Sequence, residues 1–218
     1  MRNETLEFGH RGWLLDESFI FYDKRYDSLW VQATGRCIDG KFKGEQLPTL
    51  PVTHTTWGEW RALHPQSLVL AKPSDMIAQY KLDSYEQFYR RRGTKFGLAV
   101  FVDDQQKLYP IEQLRERRIV QDTFAGQPVL VIFHAPSRTA VAFDPSSDGD
   151  RAVFELVEVT DSDVLIRDTN TGAIWSGLTG RALSGDDANR QFRQYRTTQF
   201  VVSNWPKHFP NSPVFGTR

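Results

Sequence analysis

The sequence predicts a mainly β fold with short helices: two related β-rich units, the first of them incomplete at its N-terminus. Three observations carry this reading. Displaced by 145 residues, the chain aligns with itself. Its β-prone runs are short and punctuated by Asp, Asn and Gly turns. Its helix start signals open only brief segments.

In the displaced register Asp23, Trp30, Thr34, Gly35, Arg36 and Gly40 fall on Asp168, Trp175, Thr179, Gly180, Arg181 and Gly185. Without a gap, Trp60, Pro65, Ser67 and Val69 fall on Trp205, Pro210, Ser212 and Val214. Residues 21–70 against 166–215 give 12 identities in 50, where ordinary composition gives about 3 by chance. The chain contains a duplication.

Each repeated piece has a physical sense. Asp23 to Asp27, and Asp168-Thr-Asn-Thr-Gly172, carry turn chemistry between β-rich runs, so each reads as a hairpin. The Trp then lies on the return strand, facing a core. Gly35 and Gly40 bracket a short strand with tight turns. Thr56-Trp57-Gly58-Glu59 is a capping box that opens a helix through about Leu63, stopped by His64-Pro65.

The second copy has a lead-in that the first lacks. Lys95–Asp103, Lys107–Tyr109, Gln127–His134 and Thr139–Phe143 read as strands, and Pro110–Arg117 as a short helix with Pro110 in its first turn. If a unit is 145 residues and starts near Thr94, the first copy is expected to start about 50 residues before Met1. The division is then 1–72 for the back half of the first unit, 73–93 for a helical connector and 94–218 for a complete second unit. Ser84 and Gly93 cap the connector helix.

Composition excludes several classes. The 27 Lys+Arg balance the 27 Asp+Glu, which disfavours a nucleic-acid partner. Residues are 39% apolar and 13% aromatic, which excludes wholesale disorder. No run approaches ~18 apolar residues, so no membrane span is expected. The polar start Met1–Thr5 carries no signal peptide, so the chain as written reads as cytoplasmic, and as exported if a longer N-terminus exists. The single cysteine, Cys37, excludes an internal disulfide.

The linked stretch Leu6-Glu-Phe-Gly, Gly12-Trp-Leu-Leu-Asp-Glu-Ser, Phe21-Tyr-Asp, Ser28-Leu-Trp, Thr34-Gly, Thr55-Thr-Trp-Gly-Glu-Trp-Arg and His64-Pro65 resembles the prokaryotic family known as domain of unknown function 3179. Residues 6–70 carry the resemblance strongly, and residues 94–215 carry it as a divergent second repeat. The resemblance implies a Cys-Pro-x-Cys segment before the Phe-Gly strand, selenocysteine in some members, and hence thiol or metal chemistry. In the first copy that segment would precede Met1. In the second it is Ala135-Pro136-Ser137-Arg138, with neither cysteine. The family has no assigned reaction.

Candidate chemistry is sparse. Gly35 to Lys41 is nearly a phosphate loop, but Phe42 stands where Ser or Thr must ligate the metal. Asp144 to Glu155 has calcium-loop spacing, yet its flanks read as strands where helices are required. Cys37 could be a reactive thiol beside Arg36, although a small residue, Ala182, replaces it in the second copy. His54 could converge with Glu59 across the helix start. The clusters Arg90–Arg92 and Arg115–Arg118 fall at helix ends, where cations favour the dipole. Trp13 and Trp57 have no second-copy counterpart, which makes them better candidates for ligand stacking than Trp30 or Trp60. The ligand-binding candidates are therefore Trp13, Trp57, His54 and Cys37, with no metal site and no cofactor implied.

A duplication without an intact catalytic signature predicts a non-catalytic β-rich module, binding a ligand or partner between the two repeats. The alternative is a truncated member of a thiol or metal family whose Cys-Pro-x-Cys segment lies upstream of Met1. An uncovered first unit further suggests a homodimer in which two chains cover each other.

Overall fold

The computed structural model describes residues 4–70, 95–146, 152–185, 188 and 190–217. The connector helix and the Arg90–Arg92 cluster lie outside the described residues, as does the middle of the loop after Asp144. The described chain is mainly β, in four small antiparallel sheets with three short α-helices.

The first sheet comprises β1 (Phe8–Leu15), β2 (Ser18–Asp23), β3 (Leu29–Val31) and β4 (Cys37–Asp39), paired in chain order. The Asp23 carboxylate accepts from the Tyr26 and Ser28 amides at 2.7 and 3.1 Å and from the Trp30 indole at 3.3 Å, which locks the β2–β3 turn. Trp30 is fully buried with Cys37 and Phe42. Gly40 has φ +89°, and a Cβ there would sit 2.6 Å from Ser28 Cα, so the turn after β4 admits only glycine. Helix α1 (Trp57–Leu63) starts where the sequence places it, with Thr56 Oγ1 accepting from the Glu59 amide at 3.3 Å. The return half of the capping box does not form: Glu59 Oε2 is buried without a partner.

The lead-in of the second repeat supplies β5 (Phe96–Val102), β6 (Gln105–Pro110), α2 (Ile111–Arg117), β7 (Ile119–Phe124), β8 (Gln127–His134) and β9 (Thr139–Asp144). Pro110 is the N-cap of α2 rather than a residue of its first turn, because it still pairs with Gly97 at the end of β6. Arg115 and Arg117 close the helix, as the dipole favours. The remaining strands are β10 (Phe154–Val159), β11 (Val164–Asp168), β12 (Ile174–Ser176), β13 (Arg193–Gln194) and β14 (Arg196–Val201), followed by a 3₁₀ turn and α3 (Trp205–His208). Both β9 and β10 flank the calcium-like loop as strands, where a calcium loop of that spacing needs helices.

Three layers stack here. The sheet β13-β9-β8-β7 is in the middle. One face of β8 and β9 packs Val131, Phe133 and Ala142 on Leu98 and Val100 of β5. The other packs Leu130, Ile132, Val141 and Phe143 on Val164, Ile166 and Trp175 of β11 and β12. Burial on both faces explains why residues 129–133 read as an unbroken apolar run.

The duplication is structural. The bridge Arg36↔Gln46 recurs as Arg181↔Gln191. The bonds Gly35 N to Val31 O and Leu47 N to Gly35 O recur as Gly180 N to Ser176 O and Phe192 N to Gly180 O. The Trp60 indole donates to Ser67 Oγ, and the Trp205 indole donates to the Ser212 carbonyl. The repeats differ in their first ladder. Between His10 and Leu14 the β1–β2 ladder slips, and its counterpart between Leu156 and Glu158 is one residue shorter. Gly12, φ +75°, turns this bulge and leaves Trp13 standing into solvent.

Candidate ligand groove between the repeats

The β1–β2 hairpin closes on two residues, Asp16 and Glu17, both with positive φ (48° and 67°). This is the backbone of a primed turn, which Asn-Gly adopts easily and Asp-Glu does not. Strain of this kind persists where the surroundings hold it. Here the second repeat does the holding. Glu17 Oε2 accepts from Asn204 Nδ2 at 3.0 Å, and the Asp16 carbonyl accepts from His208 Nε2 at 3.1 Å. A carbonyl can only accept, so His208 carries a proton on Nε2.

Between this turn and β14 lies a groove of about 240 Å³. Gln32 and Ala33 line it from the first repeat; Thr198, Gln199, Phe200 and Val201 line it from the second. Phe200 packs edge-on against Trp205 and His208, so the floor is fixed. The rim combines two carboxylates, three side-chain amides and an imidazole. Such a set recognises hydrogen-bonding groups and, with two acids against one histidine, favours neutral or cationic ligands over anions.

Further along the seam residues 49–55 lie across the second repeat. Thr53 Oγ1 accepts from Gln194 at 3.1 Å, Thr49 Oγ1 from Arg196 at 3.0 Å, and the Val52 carbonyl from Thr197 at 2.7 Å. A buried chain then runs from Thr55 to Thr139 (2.7 Å), Ser137 (2.6 Å), His134 (2.7 Å) and the Thr160 carbonyl (2.9 Å). The turn Ala135–Arg138 that corresponds to Cys-Pro-x-Cys is the β8–β9 hairpin, and its Ser137 is committed to this chain.

The candidates read from the sequence are scattered. His54 is exposed and lines a narrow cleft with Val52, Gln199 and Arg138, on the same seam. Trp57 is half exposed at the start of α1, and Trp13 stands on the β1 bulge under Arg11. Cys37 is 1% exposed, and its Sγ donates to the Asp39 carbonyl at 3.1 Å. Burial raises its thiol pKa above the ordinary value, against the lowering effect of that hydrogen bond. Native protein is therefore expected to leave Cys37 unlabelled by a thiol reagent that labels it at once in urea; labelling at equal rates would contradict its burial. Among the described residues no hydrogen bond or ring contact joins these four. The groove residues Asp16, Glu17, Gln32, Gln199, Asn204 and His208 were not among them. Their one signal in the sequence is an Asp-Glu pair where a two-residue turn calls for Asn-Gly.

The profile of a family described as protein of unknown function (DUF3179) matches residues 1–99 and again residues 95–218. The chain belongs to the DUF3179 family. Two adjacent matches to one DUF3179 profile agree with the duplication seen in the ladders and turns. No curated protein and no solved structure matches the chain. The DUF3179 assignment carries no reaction with it.

Proposed function

We propose that this DUF3179 chain is a non-catalytic binding module whose inter-repeat groove takes a small polar ligand bearing hydroxyl or amine groups. The observation that supports it is the strained Asp16-Glu17 turn of one repeat, held by Asn204 and His208 of the other at the mouth of the groove. The volume is below the ~300–1,000 Å³ usual for drug-sized ligands, so the ligand is the size of a monosaccharide or amino acid. The thiol reading finds no support in this chain's own residues, since Cys37 is buried and Ala135 and Arg138 stand at the two positions that the cysteines would occupy.

The test is a thermal-shift panel of sugars, amino sugars and small amines. A ligand at about a hundredfold excess over its dissociation constant raises Tm by roughly 5–10 °C. The exposed Gln32 lines the groove, so Gln32→Trp fills it without touching the core and is expected to abolish the shift. A panel with no hit, or a hit that Gln32→Trp leaves intact, overturns the proposal.

A further inference from the structure

His134 is fully buried, and both of its ring nitrogens are engaged. Nε2 lies 2.9 Å from the Thr160 carbonyl, which only accepts, so Nε2 carries a proton. Nδ1 lies 2.7 Å from Ser137 Oγ, a group that can donate or accept. Ser137 Oγ lies 2.6 Å from Thr139 Oγ1, which lies 2.7 Å from Thr55 Oγ1. Ser137 and Thr139 are buried, whereas Thr55, in the first repeat, is partly exposed. Each hydroxyl has one proton to donate. With a neutral ring Nδ1 accepts, and the donation runs from Thr55 through Thr139 and Ser137 to Nδ1. In the structure Thr139 Oγ1 donates to Thr55 Oγ1. That spends the Thr139 proton, so Ser137 donates to Thr139 and Nδ1 donates to Ser137. This opposite order puts a proton on both ring nitrogens.

We propose that His134 is a proton-binding site buried at the seam, served by a relay of three hydroxyls that reverses when the ring takes its second proton. A proton arriving from solvent at Thr55 displaces one hydrogen across each bond, and the last of them reaches Nδ1. Every buried donor keeps an acceptor in both orders, so the charge enters without orphaning a polar group. Thr55 belongs to the first repeat, so proton uptake reverses a bond between the repeats without breaking it. The charged and titratable side chains on the surrounding elements are Arg138 in the same turn, Asp161 and Asp163 beside Thr160, Arg118 before β7, and His54 and Glu59 on either side of Thr55. None of them hydrogen-bonds to the ring, and Asp163 is spent on the Val164 and Leu178 amides. The relay, rather than an ion pair, is what accommodates the charge.

Nitrogen-15 NMR of the imidazole nitrogens in the whole chain, followed as the pH is lowered, tests this. The wild type is expected to show a proton on Nε2 and a bare Nδ1 first, then protons on both. The Thr139 and Thr160 amides are expected to keep their folded shifts throughout. Thr139→Val preserves the shape but leaves the Ser137 hydroxyl without an acceptor once Nδ1 is protonated. It is expected to weaken proton binding by about tenfold or more, and Thr139→Ser is expected to restore it. Thr55→Val, at the partly exposed end of the relay, is expected to weaken it by a smaller factor. A neutral ring with its proton on Nδ1 overturns the proposal, as does loss of the folded shifts before or as the second proton binds. A proton affinity that is the same in the wild type and both valine variants also overturns it.

Discussion

Asp23→Ala is expected to cost the folded chain roughly 3 kcal/mol, far more than the same change at its repeat partner Asp168. Asp23 is fully buried and receives the Tyr26 amide, the Ser28 amide and the Trp30 indole. Removing the carboxylate strands three donors. Asp168 is also buried, but it receives the Asn170 amide at 2.8 Å, and the Trp175 indole finds no partner. Asp168→Ala is expected to cost about 1 kcal/mol. Burial works against the charge on Asp23, yet the donated hydrogen bonds outweigh it and hold the carboxyl below its ordinary 3.8. A folded value below the unfolded one means that the stabilisation is fully present above about pH 4 and is lost as pH falls through the folded value. Urea midpoints of wild type and Asp23→Asn are therefore expected to differ at neutral pH and to converge on acidification. A gap independent of pH contradicts this account.

The second large effect is expected at Trp175. It stacks on Phe192 with centroids 4.0 Å apart and planes 11° from parallel, and it is 2% exposed. Trp175→Ala leaves a cavity in the core shared with Leu130, Ile132 and Phe143, at about 4 kcal/mol. Trp175→Phe keeps the stacking and removes a buried N–H that has no acceptor, so its cost is expected to stay under about 1.5 kcal/mol. Trp30→Phe removes the donor that Asp23 uses and is expected to cost more than Trp175→Phe. Equilibrium urea denaturation of the three variants gives the order, and a Trp175→Phe variant as unstable as Trp175→Ala would refute the role assigned to stacking.

The legibility of this fold follows the range of its interactions. Turns at Asp23, Gly35, Gly40 and their counterparts were readable because local backbone demands select Asp and Gly. The buried indoles were readable because the duplication places a Trp twice on a return strand. Strand β7 was not, since Ile119-Val-Gln-Asp-Thr-Phe124 sits at a sheet edge and Asp122 there serves Lys107 and Tyr109 rather than a hydrophobic alternation. The bulge at Gly12 is not legible because the one extra residue it holds shifts Phe8 to His10 out of the 145-residue register. The groove was the least legible feature. Its defining contacts join residues 187 and 192 apart in the chain. Each participant is an ordinary polar residue, and only folding brings the Asp16-Glu17 turn against α3.

The proposed role of the groove is tested most directly by a nitrogen-15 resolved NMR spectrum of the full chain, titrated with the tightest binder from the panel of sugars and amines. The account predicts that perturbed amides concentrate at Glu17, Gln32, Gln199 and His208, on both sides of the seam. Perturbations confined to one repeat, around Trp13 or Trp57 with the groove amides unmoved, would contradict it.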